Sequence, residues 1–297
     1  MSVARLAALA FALLAVAMPL RAQTAKPLQV VASFSILADM AREVAGDAAQ
    51  VHSLVGPNAD AHVFEPTPAD AQRLARADLV VVNGLHFEGW IDRLVRSSGY
   101  RGPVVEASRG ITPRRAGRSI DPHAWQSLVH AQRYVENLRA ALVAAAPHQA
   151  AAIDARARAY AQKLAELDAS ARAALGAVPQ EQRRVVSSHD AFGYLGEAYG
   201  ITFVSPRSWN TDSEASAAAV AAVIRQVRLH QARALFVENI TDRRSIERIA
   251  QETGAQVGGT LYSDALSLPG TGADTYLKMV AHNVKTIATA LQAATAR

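Results

Sequence analysis

The chain has 297 residues, 31 lysines and arginines against 26 aspartates and glutamates for a formal charge of +5, and no cysteine. Half of the residues are hydrophobic and 19% are charged, which is too apolar for a disordered chain and sufficient for sizeable cores, and the length suits about two domains. The absence of thiols excludes disulfides, thiolate zinc centres, cysteine nucleophiles, iron–sulfur clusters and an acylated cysteine, so any chemistry rests on His, carboxylates, hydroxyls or backbone.

Arg5 precedes an uncharged apolar run from Leu6 to Leu20, after which Arg21, Ala22 and Gln23 open a polar stretch. The run is shorter than the ~20 residues that span a bilayer, and it stands where an export signal stands. Residues 1–22 are therefore expected to be a cleaved signal peptide, with a retained membrane anchor as the alternative; cleavage after Ala22 or Ala25 would fit. Losing Arg5 and Arg21 lowers the charge to +3. The densest basic cluster, Arg114, Arg115 and Arg118, has no interleaved aromatics and reads as a solvated loop, which argues against a nucleic-acid partner. An exported chain that folds without disulfides suits the periplasm.

From Pro27 onward, short β-rich runs alternate with longer helical stretches. The runs are Leu28–Phe34, Val51–Val55, Leu79–Val82 and Val104–Val105, then Val185–Val186, Ile201–Val204, Ala234–Val237 and Ala255–Leu261. Strands separated by helices predict an α/β fold with parallel sheets, about four strands in each half. Between the halves, Pro147 to Leu175 lacks Gly and is dense in Ala, Arg, Gln, Leu and Glu, so it predicts one helix of about 28 residues, some 40 Å long. Pro147 serves its first turn, and Gly176 and Pro179 stop it. The expected organisation is an N-terminal lobe over 27–146, a connecting helix over 147–176 and a C-terminal lobe over 182–297; a single domain with a long surface helix is the plainer alternative.

Of the nine histidines, three stand out by their position. His62 lies in a loop after Val51–Val55, in Asp60-Ala61-His62-Val63-Phe64-Glu65-Pro66. His123 lies in Asp121-Pro122-His123-Ala124-Trp125, ahead of a helix, and His189 directly follows a strand in Ser187-Ser188-His189-Asp190. Asp264 ends the last strand in Leu261-Tyr262-Ser263-Asp264. Ligands of open α/β sheets gather beyond the carboxyl ends of strands, so a cleft between two lobes could join two residues from each half. Three imidazoles and a carboxylate suit a divalent transition metal, Zn²⁺ above all. His52, His130, His148, His230 and His282 read as structural or exposed. His86, in Asn83-Gly84-Leu85-His86-Phe87, follows a strand as His62 does and is excluded from the ligand set but not from the cleft.

These segments, together with Ala32-Ser33-Phe34-Ser35-Ile36-Leu37-Ala38-Asp39, Asn83-Gly84-Leu85, Ser188-His189-Asp190-Ala191-Phe192-Gly193-Tyr194, Phe236-Val237-Glu238-Asn239 and Ser263-Asp264, resemble the zinc/manganese-type (cluster A-I) periplasmic substrate-binding proteins of ABC transporters. The resemblance spans nearly the whole mature chain. It implies two α/β lobes joined by a long helix, metal held between them by His62, His123, His189 and Asp264, and delivery to an inner-membrane permease by a monomeric receptor. Many zinc receptors of this family carry a His- and acid-rich loop ahead of the second ligand; here Thr112 to Ile120 is short and basic, so no scavenging loop is expected.

Four protein ligands close a tetrahedral zinc shell, whereas a catalytic zinc keeps a position open for water, so carriage of metal is expected and not hydrolysis. The rivals are a metallohydrolase with Asp264 or Asp190 as general base, and a metal-dependent adhesin. An imidazole at position 189 resembles the zinc-type or mixed receptors of the family, and nitrogen-rich sites favour Zn²⁺; a bidentate Asp264 would instead raise the coordination number and admit Mn²⁺, the alternative. Glu65 and Asp190, beside ligands, are candidates to hold an imidazole's other N–H. Trp90 and Trp125 are expected to pack cores or shield the cleft.

Overall fold

In a computed structural model, which describes residues 26–295 except 117–118, 210, 231 and 233, all eight apolar runs form parallel strands. The segment expected to be a signal peptide, and Arg118, lie outside the described residues. The first sheet holds β1 (Leu28–Phe34), β2 (Ala49–Val55), β3 (Leu79–Val82) and β4 (Val104–Glu106) in the order β2-β1-β3-β4. A two-residue antiparallel ribbon, β5 (Arg115–Ala116) with β6 (Ser119–Ile120), follows. The second sheet holds β7 (Arg184–Val186), β8 (Thr202–Val204), β9 (Ala234–Glu238) and β10 (Gln256–Leu261) in the order β10-β9-β7-β8. Read from the other edge, that is the same winding as the first sheet. Each lobe therefore places its first and third strands side by side, β1 with β3 and β7 with β9, and each has a crevice where the chain reverses its direction of winding.

Helices α1 (Ser35–Ala45), α2 (Pro68–Ala75) and α3 (Ile91–Ser98) belong to the first sheet. α4 (Leu128–Ala145) leads to a 3-10 turn at Pro147–Gln149 and then to α5 (Ala150–Gly176). α6 (Gly193–Tyr199), α7 (Ala217–His230), α8 (Arg244–Thr253) and α9 (Tyr276–Thr295) complete the second half. The buried positions of α5 are Ile153, Ala157, Tyr160, Leu164, Ala171 and Leu175, a three-to-four residue stripe that keeps one face inward over seven turns. With that face α5 packs on α1 and α4 of the first lobe and on α6 and α9 of the second. Its end departs from expectation in one detail. Gly176 is the last helical residue and is not left-handed; Ala177 and Val178 wind on through bonds to the carbonyls of Ala173 and Leu175, and the extended Pro179 ends the turn.

One hydrophobic core runs from the first sheet through these helices into the second lobe and includes Phe34, Trp125, Tyr134, Tyr160, Phe192 and Tyr276. A smaller core of Val223, Val227, Leu235 and Ile249 covers the outer face of the second sheet. The lobes are also stitched by polar contacts: Tyr276 N–H donates to Asp39 Oδ2 at 2.7 Å, Leu266 N–H to Ser35 Oγ at 3.0 Å, and Asn58 N–H to the Leu266 carbonyl at 2.9 Å. Because α5 serves both lobes, truncating Leu164 to alanine should destabilise the whole molecule by about 2–5 kcal/mol in urea unfolding and leave one cooperative transition, the effect of emptying a fully buried leucine site.

Candidate metal site

The two crevices face each other, and the four candidate ligands converge between them. His62 comes from the loop between β2 and α2, His123 from the segment before the 3-10 turn Ala124–Gln126, His189 from the end of β7, and Asp264 from the end of β10. Ligating atoms of all four lie within 4.8 Å of one another. Asp264 is the hub: its Oδ2 is 3.3 Å from His62 Nε2 and 3.2 Å from His189 Nε2, and its Oδ1 is 3.6 Å from His123 Nε2. The imidazole centroids are 5.3–6.0 Å apart, and His123, His189 and Asp264 are fully buried.

Each ring is aimed by its neighbours. Asp121 Oδ1 accepts both the His123 backbone N–H at 3.0 Å and its Nδ1 at 2.8 Å. Glu238, at the end of β9, repeats the device: Oε1 accepts the His189 backbone N–H at 2.8 Å and Oε2 lies 2.5 Å from its Nδ1. With Nδ1 held by a carboxylate, each Nε2 is left to face the centre. Asp60 Oδ1 accepts the His62 backbone N–H at 2.9 Å, and its Oδ2 accepts the Thr211 hydroxyl from the other lobe at 2.5 Å. Asp264 is set through the preceding residue, because Trp125 Nε1 and Gln126 Nε2 both donate to the Ser263 carbonyl, at 2.9 and 2.7 Å. Phe87 closes one wall, its ring 4.7 Å from that of His62, and Trp125 another, 5.3 Å from His123.

The inward atoms have no hydrogen-bonding partner: the three Nε2 atoms and both Asp264 oxygens are buried and unsatisfied. Burial of so many unpaired polar atoms is expensive unless something binds them. Burial alone would keep the His189 ring neutral, yet the Glu238 and Asp264 carboxylates outweigh it and hold the pKa well above the ordinary imidazole value. Burial likewise opposes a charged Asp264, and the His123 and His189 rings override it, so the carboxyl stays far below the usual carboxylate range.

The other expected residues lie elsewhere. Glu65 is exposed, and no hydrogen bond joins it to an imidazole, since the chain turns outward after His62. Asp190 is part-buried at the mouth of the site, where burial and the nearby Asp121 raise its pKa against the pull of Arg114 and His123. The carboxylates that hold the rings are Asp121 and Glu238, which sequence position alone does not single out; an acid two residues before a histidine and one at a strand's carboxyl end are the signals that point to them. Arg114 is not solvated loop: it is half-buried, contacts Asp121 Oδ2 and pairs with Glu197 across the lobes at 2.6 Å. Among the remaining histidines, His130 packs on Tyr194 and His282 meets the Thr260 carbonyl at 3.0 Å, away from the centre. Trp90 donates to the Ala61 carbonyl at 2.8 Å, bracing the His62 loop.

Residues 30–290 match the family described as ZnuA, zinc-uptake complex component A, periplasmic. The chain belongs to that family. It is 36% identical to the manganese-binding lipoprotein MntA of Halalkalibacterium halodurans over 266 residues, 89% of this chain and 88% of that one, and 37% identical to the iron-binding protein YfeA of Yersinia pestis over 270 residues, 89% and 86%. Among solved structures, the periplasmic zinc binding protein TroA from Treponema pallidum superposes with a TM-score of 0.86 at 31% identity, covering 90% of this chain and 99% of that one. Members of this zinc-uptake family are substrate-binding components of metal ABC transporters, and these relatives are binding proteins, not enzymes. The carboxylates behind the rings should matter for metal binding: Asp121→Asn and Glu238→Gln are each expected to weaken it by about 10–100-fold in isothermal titration, the usual weight of a partner that orients a ligating imidazole.

Proposed function

We propose that this protein captures Zn²⁺ in the periplasm through His62, His123, His189 and Asp264 and delivers it to an ABC permease of the inner membrane. The observation that carries the reading is the convergence of three imidazole Nε2 atoms on a carboxylate, all buried and all without protein partners. Such a shell offers four protein ligands and leaves no position reserved for a reacting water, which suits carriage and not hydrolysis. Nitrogen donors in the majority favour zinc, and the intrinsic affinity order places zinc above manganese.

A second reading, Mn²⁺, is favoured by one feature of the centre. Both Asp264 oxygens are free, so a bidentate carboxylate with three imidazoles supplies five donors, more than a tetrahedral zinc needs. Relatives named for manganese and iron point the same way. Competition between Zn²⁺ and Mn²⁺ for protein purified without chelator separates the two. The chain has no cysteine to carry a lipid, and among the described residues no helix is long and apolar enough to cross a membrane.

Zn²⁺ should raise the melting temperature in proportion to the logarithm of its free concentration, and His189→Ala should abolish most of that rise in a calorimetric scan. A rise that survives the substitution overturns the ligand set. Without metal the Glu238 and Asp264 carboxylates favour the charged His189 ring against its burial, and a metal ion must compete with that proton. Affinity is therefore expected to climb as pH rises and to fall in acid, and titrations in buffers of different ionisation enthalpy should reveal proton release.

A further inference from the structure

Three consecutive residues after β3 have left-handed backbone: Gly84 at φ 82°, Leu85 at 55° and His86 at 63°. Glycine adopts that region freely, whereas a leucine is a poor fit, and such a turn persists only where its surroundings over-determine it. Here they do. The Gly84 carbonyl accepts Asn83 Nδ2 at 2.9 Å and the Phe87 N–H at 3.1 Å. Asn83 N–H donates to the buried Glu88 carboxylate at 2.6 Å, the Asn83 carbonyl accepts the Ser108 hydroxyl at 2.6 Å, and the Tyr134 hydroxyl meets Asn83 Oδ1 at 2.5 Å.

This clamped turn presents two neighbouring rings with different fates. Phe87 is buried against His62, while His86 is exposed and lines a cavity of about 570 Å³. Of the four ligands, His62 alone lines that cavity, alongside His86, Asp190, Ser208 and Trp209. The cavity thus connects solvent to the ligand set at His62, and its wall carries an imidazole and a carboxylate that take no part in the buried set.

We propose that His86, with Asp190 in the same cavity, is a transient docking site for a divalent first-row cation on its way to and from His62. The proposal rests on the metal-binding reading of the buried site. Imidazole and carboxylate are donors such cations accept, and a ligand at the mouth lets a hydrated ion exchange its waters stepwise before it reaches the desolvated centre. A group that touches the ion only in transit lowers the barrier without altering either end state, so it changes association and dissociation by the same factor.

The test is stopped-flow kinetics with Zn²⁺, read by the fluorescence of the tryptophans, of which Trp209 lines the cavity and Trp125 abuts His123, with a chelator chase for release. His86→Asn removes the imidazole but keeps a residue that tolerates left-handed backbone, and His86→Gly does so without any strain. Both variants are expected to slow association and dissociation together, by about tenfold, the factor that ~1.4 kcal/mol of barrier corresponds to. Unchanged rates overturn the proposal, as does faster release with unchanged association, the behaviour of a static ligand. If the unmodified chain shows no saturable Zn²⁺ binding, the buried-site reading itself fails and this proposal falls with it; rates unaltered in a protein that does bind sink the docking step alone.

Discussion

A carboxylate at the centre of this molecule, Asp264, is wholly buried and, among the described residues, has three imidazole nitrogens at 3.2–3.6 Å as its neighbours. Isolating such a charge from water is unfavourable by many kcal/mol unless a countercharge sits beside it, and here the groups beside it that can become positive are the rings that would themselves bind a cation. The Glu238 and Asp264 carboxylates favour a charged His189 ring against its burial, and the structure around the site keeps the donors together.

Keeping them together is a task for the scaffold, because the donors come from four loops spread over two lobes. The repeated winding of the two sheets sets a reversal crevice in each lobe, and their facing orientation follows from the core and long helix they share. The segment from Asp121 to Gln126 links the halves most directly. It orients its own His123 through Asp121 and, two and three residues later, holds the Ser263 carbonyl ahead of Asp264 with Trp125 and Gln126. His123 and Asp264 are thus a coupled pair even though they sit in different lobes. His62 is tied to the other lobe through Asp60 and Thr211, and it alone of the four borders the cavity, so the open side of the site lies at His62.

Behind the rings the polar side chains form a continuous chain. Arg114 faces Asp121, Asp121 faces His123, and His123 faces Asp264; on the other side Glu238 faces His189, which again faces Asp264. Arg114 reaches this position because Gly193 has no Cβ to block its guanidinium, and it continues to Glu197 at the surface. The short basic segment that stands where relatives were expected to carry an acidic, histidine-rich loop therefore contributes an interlobe strut. Its arginine offsets the second negative charge that would otherwise accumulate beside the buried Asp264.

The strands, the long helix and the residues of the buried cluster were legible in the amino-acid order alone, because each depends on local chemistry. β-branched runs bounded by turn residues make strands, an Ala- and Leu-rich stretch without glycine makes a helix, and a histidine or aspartate beyond a strand's carboxyl end marks a candidate ligand position. The roles that needed tertiary structure are those set by sheet order. Glu238 reaches His189 across 49 residues only because β9 lies beside β7, and Arg114 reaches Glu197 across 83 residues only because the lobes pack on one core. Glu65, three residues from His62, turns away from every ring, because nearness along a loop says nothing about where its side chains point. The composition determined at the outset that any metal centre here must be built from nitrogen and oxygen donors; only the packing of two lobes decided which carboxylates hold the rings, since those contacts are made between parts of the chain that no local pattern connects.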